Sequence, residues 1–467
     1  MAFVFYDTET TGISTGFDQI LQFAAVMTDD ELNQLDQIEL RCRLHPHVVP
    51  HPGALAVTGM TIDNLLDAAL PCHYEMVREI REKLIQWSPA TFIGYNSLRF
   101  DEELLRKALF RTLHPAYLTN TGGNTRADAM VLIQVASVFA PDCLTVPVGE
   151  KGHIFKLDQV APLNGFNHIN AHDALGDVFA TIHLAKCVKQ RSPEVWDRFL
   201  RYSTKASAQS CLYNEDAVLL TEFYFNKPYQ FVVSAIGPEP GNSAAILALD
   251  LSHDIDWIAS LPDDQLATWI GQNPKKIRRV RTNAAPSLAT MAEVSDHMLG
   301  SLSREEIVRK VARLRSDPAL GVRLVEAYVA NASGYDDSPY IEEQIYSGGF
   351  VSNSDQTLME RFHAVPWDQR AAVVAQFQDA RLRHHGLLLL YENYTEGLTP
   401  EQLQDVEALI WDRLMLERAP KNTWTSLHHA LADTEEMLVK ASGATLQILS
   451  GLKAHLESRI HVGAGRI

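Results

Sequence analysis

The sequence predicts an α/β domain, a mixed sheet flanked by helices, followed by a small β-rich domain and a C-terminal helical domain. Three observations predict it. Up to residue 190, short apolar runs alternate with stretches of helical period. Between 217 and 251, β-rich segments are separated by turns containing Pro228 and Gly237-Pro238-Glu239-Pro240-Gly241-Asn242. From Tyr346 onward the pattern is helical. The expected domains are 1–190, 193–345 and 346–467, within the two to four that 467 residues suggest.

The first strand is Phe3-Val4-Phe5-Tyr6-Asp7-Thr8-Glu9-Thr10, stopped by Thr11-Gly12. Alternation puts Asp7 and Glu9 on one face. Two carboxylates on one side of a buried strand repel each other and are tolerable around a cation. Oxygen-only donors suit Mg²⁺ or Mn²⁺. Alone, a D-x-E at a strand end reads as solvated acid. Residues 20–27 form a second strand and Leu40–Leu44 a third, an antiparallel meander. Thr61 is placed to cap a helix from Ile62, and a further helix is expected over Glu75–Trp87. Thr91–Asn96 is a short buried strand that leads to Asp101 at a strand-to-helix switch. Position alone leaves Asp101 open between helix cap and ligand. Arg126–Leu132 reads as the start of an apolar helix, with Asp128 as its first-turn charge. Lys156–Val160 is a short helix. Asn170–Asp177 opens an amphipathic helix with Asp177 near its apolar face, where a carboxylate is costly unless paired or metal-bound. His172 stands at its mouth and, largely neutral at pH 7, can take a proton from water. Asp173 reads as a first-turn charge sharing a face with Asp177.

Composition bounds the rest. The chain is 46% apolar and 21% charged, enough for real cores. Cys42, Cys72, Cys143, Cys187 and Cys211 are scattered without CxxC spacing. This argues against a zinc site and a disulfide framework, and fits a reducing cytoplasm. No leader and no membrane span are expected. The net charge of −17 argues against an indiscriminate, electrostatically driven DNA binder.

Asp7, Glu9, Asp101, His172 and Asp177 thus stand in order. Asp-Thr-Glu-Thr-Thr-Gly at 7–12, Gly-Tyr-Asn-x-x-Arg-Phe-Asp at 94–101 and His-x-x-x-x-Asp at 172–177 resemble the DEDDh, DnaQ-like exonuclease superfamily. The fuller runs Gly94–Glu103 and Asn170–Ile182, with Gln22-Phe23-Ala24-Ala25, are similar to the bacterial exodeoxyribonuclease I family. The likeness is close over the first 185 residues and looser afterwards. It implies an RNase H-like exonuclease domain, an SH3-like β domain and a helical domain. It also implies two Mg²⁺ ions (Mn²⁺ can substitute) held by Asp7, Glu9, Asp101 and Asp177, with His172 as the base. The implied reaction is 3′-to-5′ hydrolysis of single-stranded DNA to nucleoside 5′-monophosphates, in DNA repair and recombination. Substrate contacts are expected at Thr8, Gly59, Met60, Asn96 and Arg99. Met60 is open between base wedge and core.

In the later chain, strands are expected over Ala217–Phe225, Gln230–Ile236 and Ala244–Leu251. In the basic run Pro274–Arg281, alternation sets Lys276, Arg278 and Val280 on one face. Lys276 and Arg278 are the expected phosphate contacts, against a default of a solvated basic face. Helices are expected over 355–363, 367–378, 380–391, 400–418 and 425–460. By resemblance, the acidic tail of single-stranded DNA-binding protein is a second partner, and a cytoplasmic monomer is expected. The competing readings are a 3′-to-5′ exoribonuclease and a non-catalytic single-strand binder. The intact acidic set opposes the binder.

Overall fold

A computed structural model describes residues 2–167, 173–332 and 337–465. The first sheet contains β1 (Phe3–Thr10), β2 (Ile20–Thr28), β3 (Gln34–Arg41), β4 (Thr91–Gly94) and β5 (Thr125–Asp128). Their order is β3-β2-β1-β4-β5. The expected meander β1–β2–β3 is antiparallel, whereas β4 and β5 run parallel to β1. Between β3 and β4 lie α1 (Pro52–Thr58), α2 (Ile62–Leu65) and α3 (His73–Gln86). The Thr61 hydroxyl accepts from Asn64 N and caps α2. Beyond β4 come α4 (Asp101–Arg111), α5 (Ala129–Phe139), the hairpin β6 (Val148–Gly149) and β7 (Gly152–His153), α6 (Leu157–Leu163), α7 (Ala174–Arg191), α8 (Pro193–Arg201) and α9 (Lys205–Asn214).

Strand alternation builds two cores on this sheet. Phe3 and Phe5, with Ala24 and Val26, pack on α5 and α7 through Leu132, Ile133, Val178 and Ile182. Val4 and Tyr6, with Phe23 and Ala25, pack on α3 and α4 through Met76, Ile80, Leu105 and Leu109. Each buried Phe, Val, Leu, Ile or Met among them contributes about 1.5–3 kcal/mol. Helix α8 stays with the first core, its Trp196 ring edge-on to Phe3 at 5.5 Å.

The second sheet is wholly antiparallel, in the order β11-β10-β9-β8-β12. It comprises β8 (Val218–Tyr224), β9 (Lys227–Glu239), β10 (Asn242–Asp250), β11 (Ile277–Arg281) and β12 (Leu288–Thr290). Helices α10 (Ile255–Ser260), α11 (Asp263–Gly271), α12 (Arg304–Arg315) and α13 (Pro318–Ala330), which the sequence pattern did not disclose, share a core with it. The C-terminal helices are α14 (Asn353–Ala364), α15 (Trp367–Val374), α16 (Ala380–Asn393), α17 (Pro400–Leu414), α18 (Leu427–Leu438) and α19 (Gly443–Ala464). They complete two cores begun by the first domain: Leu21, Leu55 and Met60 meet Val406, Leu452 and Leu456, while Tyr74, Phe110 and Leu113 meet Phe362 and Phe377.

Three expectations are corrected. The third strand is Gln34–Arg41, because its alternating exposed residues pair with β2 before Cys42. Arg126–Asp128 belongs to a strand, since these residues pair with β4. The last long helix is two, broken where Gly443 takes φ +55°.

Beneath β1, Glu102 is 1% exposed and accepts from four side chains. Its donors are Tyr6 (3.0 Å), Arg106 (2.8 Å), Thr119 (2.6 Å) and Arg126 (2.9 Å). Arg106 in turn donates to Tyr346 Oη at 2.7 Å, which ties α4 to the start of the helical region. Removing the shared carboxylate strips the buried Arg126 guanidinium of its carboxylate partner and leaves Arg106 with Glu103 alone. Glu102→Ala should therefore lose about 3–5 kcal/mol of stability by urea denaturation, and Glu102→Gln less. A loss below about 0.5 kcal/mol for Glu102→Ala contradicts this account of the network.

Candidate active site

The odd-numbered face of β1 that buries Phe3 and Phe5 continues to Asp7 and Glu9. Helix α7 covers that same face, so its first turn delivers Asp177 to them. One carboxylate oxygen from each of Asp7, Glu9 and Asp177 lies within 4.8 Å of the others. Asp101 arrives from the opposite face at the head of α4. The Thr8 hydroxyl, on the even face, donates to Asp101 Oδ1 at 2.5 Å. Phe100, not Asp101, is the N-cap of α4, so the cap reading of Asp101 fails.

Close approach of the switch loop to β1 depends on Gly94. A Cβ there would sit 2.5 Å from Ser97 Cβ and 3.0 Å from the Tyr6 carbonyl oxygen. The parallel pairing of β1 with β4 covers only Phe3–Phe5. From Tyr6 to Thr10, that edge of β1 faces the site without a ladder partner among the described residues. Asp128 caps α5 by accepting from Met130 N (3.0 Å), and it also accepts from Asn96 N (2.8 Å). Asp173 is held by Arg41 (2.9 Å) and Gln22 (2.9 Å), a pair that the sequence reading missed.

The electrostatics follow from burial and crowding. Burial first, then Asp101, Asp177 and Glu9, push the Asp7 carboxyl well above the usual range. Burial and Asp177 push Glu9 up to about 8, with Arg41 opposing. Burial raises Asp101 to about 7, with the Thr8 hydrogen bond pulling down. A metal-free cluster of this kind would rather keep protons than charges, and a divalent cation reverses that preference. The donors are all carboxylate oxygens, which fits Mg²⁺ or Mn²⁺.

Other expected contacts separate into two groups. Asn96 and Arg99 are exposed beside Asp101 and stay available. Gly59 ends α1 at φ +71° and leaves its surroundings open. Met60, in contrast, is 8% exposed and packed in the core shared with the C-terminal helices, so the core reading replaces the wedge. The Thr8 side chain is spent on Asp101. Lys276 and Arg278 are corrected too, being 5% and 7% exposed. Lys276 Nζ donates to the carbonyls of Gln272 and Pro274. Arg278 lies over the Phe231 ring, 3.4 Å from its centroid, and pairs with Glu222. The outward face of β11 presents Arg279, bound to Glu239, and the exposed Arg281. Burial and then the nearby Arg99 guanidinium lower the Arg281 pKa. Arg99 and Arg281 are thus neighbours that sequence reading did not pair. His172 lies outside the described residues.

Raised carboxyl pKa values give the pH dependence a definite sign. Between about pH 4, where the acids ionise in the unfolded chain, and pH 8, the folded cluster holds more protons, so its ionisation costs stability as pH rises. Without divalent cations, Asp7→Asn should gain melting temperature relative to the unsubstituted chain as pH is raised through that window. Mg²⁺ should erase the difference. A gap that narrows with rising pH in metal-free buffer would contradict the crowding.

Comparison with known proteins followed the same lines. Residues 4–185 match the family model described as Exonuclease, and residues 339–459 match the Exonuclease I C-terminal domain. Exodeoxyribonuclease I of Escherichia coli (strain K12) is 28% identical over 480 aligned positions, covering 97% of this chain and 96% of that protein. The structure of E. coli exonuclease I with a dA16 oligonucleotide superposes with a TM-score of 0.84 at 22% identity, covering 98% of this chain and 99% of that one. An exonuclease I from Methylocaldum szegediense also gives 0.84, at 25% identity and the same coverage.

Proposed function

Since the chain belongs to the exonuclease I family, we propose that it hydrolyses single-stranded DNA from the 3′ end and releases nucleoside 5′-monophosphates, in DNA repair and recombination. The observation that carries this reading is the junction of Asp7, Glu9 and Asp177 within 4.8 Å at the open edge of β1. A pure binder has no use for carboxylates crowded at this cost.

Asp7, Glu9 and Asp177, with Asp101 across Thr8, would hold two Mg²⁺ ions, or Mn²⁺ in their place. When bound, these supply Lewis acidity to the phosphate and lower the pKa of a water. His172 would be the base that takes a proton from the attacking water. Thr8 fixes the Asp101 carboxylate, while the free edge of β1 offers backbone groups to the terminal nucleotide. Exposed Arg99 and Arg281 contact backbone phosphates, so affinity falls with salt despite the net charge of −17. Association with the acidic tail of single-stranded DNA-binding protein, a monomeric state and a cytoplasmic location belong to the same reading.

A 5′-labelled single-stranded DNA oligomer with Mg²⁺ tests it beside duplex DNA and RNA of the same sequence. The single strand should shorten from its 3′ end while the duplex is spared. Asp7→Asn should abolish hydrolysis yet retain the bound shift, and His172→Ala should slow hydrolysis by about 10²–10⁴-fold. Faster loss of the RNA would move the substrate to RNA, and binding without cleavage of any substrate would overturn the mechanism. A separate assay addresses Arg281: Arg281→Ala should weaken single-strand binding and flatten its salt dependence by about one phosphate contact. An unchanged salt slope would remove Arg281 from the interface.

A further inference from the structure

Away from the catalytic carboxylates, the loop between β3 and α1 packs against α16. There His45 Nδ1 lies 3.3 Å from Glu392 Oε2, and His47 Nδ1 lies 3.5 Å from Glu392 Oε1. One ligand atom from each of the three residues falls within 4.8 Å of the other two. The two imidazoles stack with centroids 5.0 Å apart. The contacts are too long for charge-assisted hydrogen bonds, which run to about 2.7–2.9 Å. His47 Nδ1 has no hydrogen-bond partner. Bonds of about 2.0–2.1 Å to a tetrahedral zinc ion separate neighbouring ligand atoms by roughly 3.3–3.4 Å. The two nitrogen–oxygen separations, each to a different oxygen of Glu392, lie close to that edge.

A second observation points the same way. These residues line a cavity of about 90 Å³ together with His73 and His385. Those two are 5% and 1% exposed, and the Nε2 atom of each lacks a hydrogen-bond partner. Glu392 is itself nearly enclosed, its side chain 9% exposed, and Arg111, the cation whose charge reaches it, makes no ion pair with it within 4.0 Å among the described residues. Arg111 and the Glu342–Arg413 pair also line the cavity, and Arg111 donates to the Asp18 carbonyl at 3.4 Å. A buried carboxylate facing imidazole nitrogens, ringed by unsatisfied polar atoms, is costly as it stands. A cation with an open fourth position for water would satisfy it.

We propose that His45, His47 and Glu392 form a zinc-type divalent metal site that fastens the exonuclease domain to the C-terminal helices. Two imidazoles and a carboxylate favour Zn²⁺ or Co²⁺ over Mg²⁺, so this site and the all-carboxylate cluster select different ions. The scattered cysteines play no part in it.

Full-length protein, stripped with chelator, is titrated with Co²⁺ and then Zn²⁺ in the presence of Mg²⁺. One equivalent of Co²⁺ should give the intense visible band of a tetrahedral nitrogen–oxygen site, and Zn²⁺ should bleach it. Asp7→Asn should keep the band, while His47→Ala and the near-isosteric Glu392→Gln should lose it. Zn²⁺ should also raise the melting temperature of the unsubstituted chain and of Asp7→Asn, but not of Glu392→Gln. Absence of the band from the unsubstituted chain overturns the site whatever the variants do. So does its survival in His47→Ala or Glu392→Gln, or its loss in Asp7→Asn.

Discussion

Mutual repulsion among Asp7, Glu9, Asp101 and Asp177 is the constraint around which this molecule is arranged. Free in solution these groups would separate. Here they are fixed on three different elements: a central strand, a helix on one face of the sheet and a helix on the other. Each element is held by its own apolar packing, Val178 and Ile182 for α7 and Leu105 and Leu109 for α4. The acids therefore cannot relax apart without unpacking a core. Glu102, one residue after Asp101, inverts the logic: it is buried but surrounded by donors, and it pins the start of α4 under β1.

Much of the first domain was legible because its signals are local. Phe3–Thr10 is an alternating strand, and Thr61 and Asp101 stand at chain breaks that propensity marks. The order of the acids was readable for the same reason. What could not be read depends on partners distant in sequence. Thr8 is a positioning residue only because Asp101, on another element, takes its hydroxyl hydrogen. Asp173 reads as a helix-end charge until Arg41 and Gln22 are seen to hold it. Met60 resembles an exposed wedge until α19 covers it.

The basic run shows the limit of periodicity most clearly. Alternation correctly separated Arg278 from Arg279 and Arg281 but gave no sign of which side faces inward. Burying a guanidinium is ordinarily costly. The Phe231 face and the Glu222 carboxylate supply what water would have given, so the inward position becomes habitable. The chain uses other arginines in the same way: Arg370 lies 3.9 Å from the Trp367 ring centroid, and Arg381 is bound to Asp379 and to two carbonyls. Formal charge thus says little about the cations that a strand of nucleic acid would meet.

The two cores shared between the first domain and the C-terminal helices bear on modularity. Leu55, Met60, Tyr74, Phe110 and Leu113 belong in sequence to the exonuclease segment, yet part of the apolar core around them arrives more than two hundred residues later. A ribosome that has finished the catalytic segment has not finished its interior. The nascent segment must wait with a greasy flank until the last helices emerge, and a gene fragment ending after α8 would encode a surface prone to aggregate. Shuffling this catalytic unit onto another protein would require redesign of that flank.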